Sequence, residues 1–221
     1  MRTEISNAQS YCESLLTTES ASKRKSREAA DELGLGRISL SPSEGALLGL
    51  LVRLHGCKKF VEIGTLTGLS AQYLIEGMAS PQAHLWTLEK SEVHAEKARQ
   101  AWSNEPWSRQ ISVVVGDARQ TLGELAVEGP FDGLFIDGNK AAYGDYLAWA
   151  ETNVRKGGLI IADNVFLSGA VWAAEGAETS KFSEKQVRIM RAFNERLADR
   201  DLYDGAIVPS AEGLFVALKR F

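Results

Sequence analysis

From residue 59 onward, short apolar runs alternate with amphipathic stretches. The runs at 59–63, 85–89, 111–115, 131–136 and 159–162 read as strands, separated by helices near 68–79, 92–104, 118–127 and 142–153. In the first of those helices Ala71, Leu74, Ile75 and Met78 recur at spacings of three and four, the stripe that a helix turns toward a core. The strands are apolar almost throughout, which predicts a sheet covered on both faces, and five such βα units predict parallel pairing. A helix over 184–199, with Val187, Met190, Phe193 and Leu197 inward, leads to two last strands at 205–209 and 213–219. Ser210-Ala211-Glu212-Gly213 between them is a hairpin turn, so the chain ends antiparallel. The expected class is α/β, a doubly wound and mostly parallel sheet with a C-terminal antiparallel hairpin.

Ahead of this repeat, Ile5, Ala8, Cys12, Leu15 and Leu16 fall at helical spacing over 5–16, and a polar helix is expected over 20–33. Ser41-Pro42-Ser43-Glu44 places an N-cap, a proline at the first helical position and a glutamate at the third, which predicts a helix over 42–55.

The 221 residues are enough for one α/β domain with additions. With 25 Lys and Arg against 29 Asp and Glu, the net charge of −4 provides no global field to recruit nucleic acid. Cys12 and Cys57 form neither a metal-ligand spacing nor a disulfide framework. No run approaches 18 apolar residues, and the N-terminus lacks the apolar core of a signal peptide. A soluble protein in a reduced cytoplasm, without membrane contact, is the expectation.

Candidate chemistry sits at the strand ends. Asp137 closes one apolar run in Phe135-Ile136-Asp137-Gly138-Asn139-Lys140, and Asp163-Asn164 closes another in Leu159-Ile160-Ile161-Ala162-Asp163-Asn164. If these runs are parallel neighbours, about 4.8 Å apart, their C-terminal ends can aim three oxygen ligands at one hard cation, with Lys140 beside it. Upstream, Val61-Glu62-Ile63-Gly64-Thr65-Leu66-Thr67-Gly68-Leu69-Ser70 reads as strand, glycine loop and helix start. Aligned on Gly64, it matches one glycine of the three in a dinucleotide fingerprint, which disfavours an NAD-dependent dehydrogenase. Its Glu-x-Gly-x-x-x-Gly instead lets backbone approach a ligand while an acid faces a cationic or hydroxylated one. S-adenosylmethionine carries a sulfonium, an amino group and a ribose diol. Glu62, Gly64, Thr65, Gly68 and Ser70 are therefore expected around it, Glu89 on its ribose hydroxyls, and Asp117 and Ala118 at its adenine edge.

At these residues the sequence resembles the cation-dependent O-methyltransferases, the group that includes catechol and caffeoyl-coenzyme A O-methyltransferases. The similarity runs from Ser41-Pro42-Ser43-Glu44-Gly45 to Gly213-Leu214-Phe215-Val216-Ala217-Leu218-Lys219-Arg220. It is most specific in 131–140, with Tyr143 following, and in 156–165. The resemblance implies a seven-stranded methyltransferase fold over 41–221, with residues 1–40 as a helical extension forming a substrate wall or dimer contact. It implies a divalent cation, Mg²⁺ first and Mn²⁺ or Ca²⁺ as alternatives, on Asp137, Asp163 and Asn164, with Lys140 as base, and a homodimer. Many members carry a second acid where this chain has Asn139.

Strand order in a doubly wound sheet puts the first strand beside the fourth, so Asp137 would meet both the methionine amino group and the metal. The leading expectation is methyl transfer to a small catechol-like or other chelating hydroxyl, with Phe166 and Trp172 as possible walls. A second is methylation of the wobble hydroxyuridine of tRNA, supported by the basic cluster Lys23-Arg24-Lys25 with Arg27. A third is a non-catalytic S-adenosylmethionine-binding protein, which would have no need of Lys140 or the ligand set. His55, His84 and His94 share no spacing and read as structural or surface residues, and Trp86, Trp102, Trp107 and Trp149 as packing.

Overall fold

The structure, a computed structural model, describes residues 7–16, 19–174, 181–210 and 212–221. Ile5 of the first expected helix, the side chains of Ala8 and Leu16, and Ala211 of the expected hairpin lie outside them. In chain order the elements are α1 (Asn7–Leu16), α2 (Ala21–Glu32), α3 (Pro42–His55), β1 (Lys59–Ile63), α4 (Leu69–Met78), β2 (His84–Glu89), α5 (Glu92–Ala101) and β3 (Ile111–Val115). There follow α6 (Ala118–Leu125), β4 (Phe131–Ile136), α7 (Tyr143–Asn153), β5 (Val154–Asp163), α8 (Glu184–Ala198), β6 (Tyr203–Val208) and β7 (Leu214–Lys219). α3 starts on the expected capping box: Ser41 accepts from the Glu44 amide and the Glu44 carboxylate accepts from the Ser41 amide.

The seven strands form one sheet in the order β3-β2-β1-β4-β5-β7-β6, with β7 antiparallel to both neighbours. The order reverses between β1 and β4, which opens a crevice at their C-terminal ends. Successive strand residues enter opposite layers. Val61, Ile63, Leu134, Ile136 and Ile160 pack with Tyr143, Leu147 and Phe193 of α7 and α8. Phe60, Leu85, Phe135, Leu159 and Ile161 pack with Leu48, Val52, Leu74 and Ile75 of α3 and α4. That double burial explains why the strands are apolar at nearly every position. α3 and α4 cross at glycines: a Cβ on Gly77 would stand 2.3 Å from the Gly49 carbonyl oxygen, so no side chain fits there.

β5 begins at Val154, five residues before the expected 159. Val154 pairs with Phe131, the register then shifts, and pairing resumes at Gly133 with Leu159. The intervening Arg155-Lys156-Gly157-Gly158 has no apolar signature, which hid this first part of the strand. β6 likewise starts at Tyr203, whose hydroxyl reaches Glu151 at 2.7 Å.

The segment before β1 is joined to the sheet layer by buried polar contacts. Ser26 Oγ donates to the Thr67 carbonyl at 2.7 Å, Thr67 Oγ1 donates to the Ser26 carbonyl at 2.8 Å, and Gln72 donates to Ser26 Oγ at 2.8 Å. Arg27 forks onto Glu19 at 2.6 Å through both Nε and an Nη, and Tyr73 donates to the same carboxylate at 2.7 Å. Lys23, buried, pairs with Glu76. Of the basic cluster, Lys23 and Arg27 thus point inward, one helical turn apart, and only Arg24 and Lys25 are exposed. The sequence run suggested four charges on one face, but the helical period divides them between core and solvent.

Burial pushes the Glu19 carboxyl up, but its hydrogen bonds from Arg27 and Tyr73 outweigh this and hold it below its ordinary 4.5. A carboxylate with a depressed folded value stabilises fully above its unfolded value and loses that contribution as pH falls through the folded one. Arg27→Ala is therefore expected to cost about 1.5–3 kcal/mol near neutrality, the scale of hydrogen bonds to a charged group. In urea melts the gap between variant and wild type should narrow below about pH 4.5; a gap independent of pH would contradict the pairing.

Candidate active site

The crevice over the β1–β4 junction holds a cavity of about 500 Å³. β1 and β4 are bonded to their ends, the Asp137 amide donating to the Ile63 carbonyl at 2.9 Å. Gly64 then turns at φ +105°, and a Cβ there would lie 2.2 Å from the Asp137 carbonyl oxygen. Only glycine lets the loop leave β1 with the Asp137 backbone this close.

Gly64, Glu89, Asp117, Ala118, Asp137, Lys140 and Asn164 of the expected residues line the cavity. Glu89 also organises the loop, since its Oε2 accepts from the Leu66 amide at 2.8 Å and its Oε1 from the Ser91 amide at 2.9 Å. Leu66 itself has φ +48°, a left-handed backbone that this carboxylate bond helps hold. Asp117 caps α6, and its carboxylate is gripped by Arg119 at 3.0 and 3.1 Å, which keeps it well below the usual carboxylate range.

Glu62, Thr65, Gly68, Ser70 and Asp163 are not on the cavity wall but are buried immediately behind it. Thr65 Oγ1 and Thr87 Oγ1 lie 2.5 Å apart, and Thr87 Oγ1 donates to Glu62 Oε2 at 2.5 Å. Glu62 Oε1 has no hydrogen-bond partner among the described residues. Full burial is the main cause that pushes this carboxyl up to about 8, against the opposing effects of the nearby Ser70 hydroxyl and the Thr87 hydrogen bond.

At the other end, Lys140 Nζ donates to Asp137 Oδ1 and to the Tyr143 hydroxyl, each at 2.9 Å. Burial alone would lower the lysine, but the Tyr143 and Asp137 oxygens outweigh it and hold Lys140 above the usual lysine range. Tyr143 donates in turn to the Asp163 carbonyl at 2.7 Å. Asp163 Oδ1 accepts from the Asn164 amide at 2.7 Å, and Asn164 sits at φ +63°, in the left-handed region that asparagine tolerates. Asp137, Asp163 and Asn164 thus bring two carboxylates and an amide to adjacent strand ends, a hard-oxygen donor set suited to Mg²⁺, Mn²⁺ or Ca²⁺. Among the described residues no cluster of three or more His, Cys, Asp or Glu forms a metal site, so any site here depends on the Asn164 amide.

Ile38, His94, Tyr146 and Phe182 also line the cavity and were not expected there. His94 Nδ1 lies 3.4 Å from Glu89 Oε1. Its place one turn into α5 was readable, but nothing in the sequence marked that turn as facing the cavity. Ile38 and Phe182 come from segments outside the βα repeat and carry no signal at all. Phe166 and Trp172 stack edge-to-face at 5.2 Å but are not on the cavity wall, and Trp172 is exposed. No helix of the described residues is long and apolar enough to cross a membrane.

The raised value of Glu62 has a consequence for stability. Between 4.5 and about 8 the folded protein keeps a proton that the unfolded chain has released, so this group makes the fold less stable as pH rises through that window, and no further beyond it. Glu62→Gln removes the dependence. The melting temperature of that variant minus that of wild type, both free of ligand, should rise from pH 5 to pH 8 and then level; a constant difference would mean that Glu62 is ionised throughout.

Comparison with known proteins agrees with this fold. The O-methyltransferase family profile matches residues 14–220. The catechol O-methyltransferase of Niastella koreensis is 32% identical over 200 residues, covering 90% of this chain and 87% of that protein. The catechol O-methyltransferase of Mycobacterium tuberculosis is 36% identical over 162 residues, 73% of each chain. Among solved structures, the O-methyltransferase TomG of Streptomyces achromogenes, involved in tomaymycin synthesis and crystallised with S-adenosylmethionine, superposes with a TM-score of 0.87 at 29% identity, covering 98% of this chain and 97% of that one. A seven-stranded sheet with an antiparallel C-terminal pair, a glycine loop at the β1–β4 switch and a family match over nearly the whole length lead to one conclusion: the chain belongs to the O-methyltransferase family, enzymes that take their methyl group from S-adenosylmethionine.

Proposed function

We propose that this O-methyltransferase acts on a hydroxyl of a small catechol-like or similarly chelating acceptor, with a divalent cation on Asp137, Asp163 and Asn164. The observation that carries the reading is the meeting of Lys140, Asp137 and Asn164 on one cavity that also reaches Gly64 and Glu89. The names of the two catechol O-methyltransferase relatives support the acceptor class. Ile38 and Phe182 join Ile63, Leu66 and Leu88 as apolar side chains on a wall that also carries the charged groups, a surface suited to a planar ring.

Glu89 accepts from the ribose hydroxyls with the lone pairs its backbone bonds leave free. Asp137 meets the methionine amino group and orients the sulfonium methyl toward the acceptor. A cation bound at this donor set supplies Lewis acidity that lowers the pKa of a chelated hydroxyl. Lys140 takes the proton at Nζ. Its present ion pair with Asp137 favours the charged form, so its role as base requires that the Asp137 charge be engaged by cation and cofactor instead.

Glu89→Ala should weaken S-adenosylmethionine binding by about 1.5–3 kcal/mol in calorimetry, the scale of hydrogen bonds to a charged group; wild-type affinity would remove Glu89 from the ribose site. Asp163→Ala should abolish methyl transfer while cofactor binding persists, and EDTA should silence the wild type until Mg²⁺ is restored. Activity undiminished in EDTA would end the metal reading. For the acceptor, labelled S-adenosylmethionine is offered with catechols and hydroxycinnamoyl thioesters in one reaction and hydroxyuridine-containing tRNA in another. Label is expected on the phenols; label on tRNA alone, lost steeply with salt, would replace the small-molecule acceptor with RNA.

A further inference from the structure

Tyr143 opens α7 with its ring fully buried, edge-on to Phe193 at 5.1 Å. Its hydroxyl touches both Lys140 and the backbone of the β5 end. A phenol has one proton to give. The Asp163 carbonyl, at 2.7 Å, is its near acceptor, whereas the Ile136 carbonyl stands at 3.3 Å. With that proton committed to Asp163, the oxygen lone pair is left facing Lys140 Nζ.

Two oxygens thus hold Lys140 at equal distance but are of different kinds. Asp137 is an anion on the cavity wall, the carboxylate that the proposed chemistry draws toward other ligands. Tyr143 is internal, its ring fully buried and its one proton directed to the Asp163 carbonyl, so it keeps a single orientation. When the carboxylate turns to other ligands, the phenol is the partner that still fixes the amine.

We propose that Tyr143 is a positioning residue for methyl transfer: its hydroxyl, anchored on the Asp163 carbonyl, holds Lys140 Nζ at a set distance from the β4 and β5 ends, so that the amine lone pair meets the acceptor hydroxyl. This rests on the reading of Lys140 as base. It accounts for a buried tyrosine three residues after the lysine, because that spacing brings both onto one face of the turn that leads into α7. It also makes the aim of the base depend on the spacing of the two strand ends, since one hydroxyl bridges them.

The test is a double-mutant cycle on the full chain, with initial rates on the best acceptor found above and cofactor affinity by calorimetry. Tyr143→Phe keeps the ring and its packing against Phe193 and removes only the hydroxyl. It should lower kcat by about 10- to 100-fold, the scale of a reacting group misplaced by an ångström, with the acceptor KM and the cofactor Kd within about twofold. Added to Lys140→Met, it should change kcat less than about twofold, because the hydroxyl acts through the amine. A Tyr143→Phe enzyme at wild-type kcat, or one that loses cofactor affinity along with rate, or an equal loss with and without Lys140, would each overturn the inference and leave the base reading standing. Wild-type kcat in Lys140→Met would overturn both.

Discussion

The parallel pairing of β1 with β4 is the constraint on which the rest of the site depends. It brings the Gly64 turn against the Asp137 carbonyl, where no side chain fits, and so fixes the loop on one side and an acid with its lysine on the other. Every other participant is placed relative to that seam. β2 delivers Glu89 next to the loop, and β5 delivers Asp163 and Asn164 next to Asp137. Reversal of strand order makes the seam a crevice, because the following helices leave in opposite directions from it.

Ionisable groups are withdrawn from solvent to differing degrees across the fold, and the way each is compensated differs by role. Structural ones are paired: Glu19 with Arg27 and Tyr73, Asp132 with Arg155 and two backbone amides, and Lys219 with the carbonyls of Glu151 and Val154. Around the cavity the pairing is incomplete or strained. Glu62 keeps one bare oxygen, and Leu66 and Asn164 hold left-handed backbone without being glycine. Such uncompensated polarity and strain is the kind that ligand binding can relieve.

The N-terminal segment belongs to this arrangement as well. Ser26 and Thr67 exchange hydrogen bonds between α2 and the glycine loop, and Ile38 reaches the cavity wall. Cofactor loop and leading segment are therefore coupled through buried bonds, which links the start of the chain to the region that would receive the acceptor.

Sequence periodicity by itself determined the α/β class, the positions of the helices and five of the strands, and the antiparallel end, because double-sided burial demands continuous apolar runs and helices demand a regular stripe. Motifs by themselves brought out Gly64, Glu89, Asp137, Lys140 and the Asp163-Asn164 pair, since chemistry at strand ends repeats a local pattern of apolar run, turn and acid. Tertiary structure alone decided the rest. The early start of β5 lay in a polar, glycine-rich bulge without an apolar signature. Lys23 and Arg27 turned inward because their partners Glu76, Glu19 and Tyr73 are supplied by packing. Ile38, His94 and Phe182 joined the cavity wall from distant segments, and Tyr143 linked Lys140 to the β5 backbone. These relations join residues far apart in the chain, and a linear pattern carries no information about which distant surfaces the folded layers will press together.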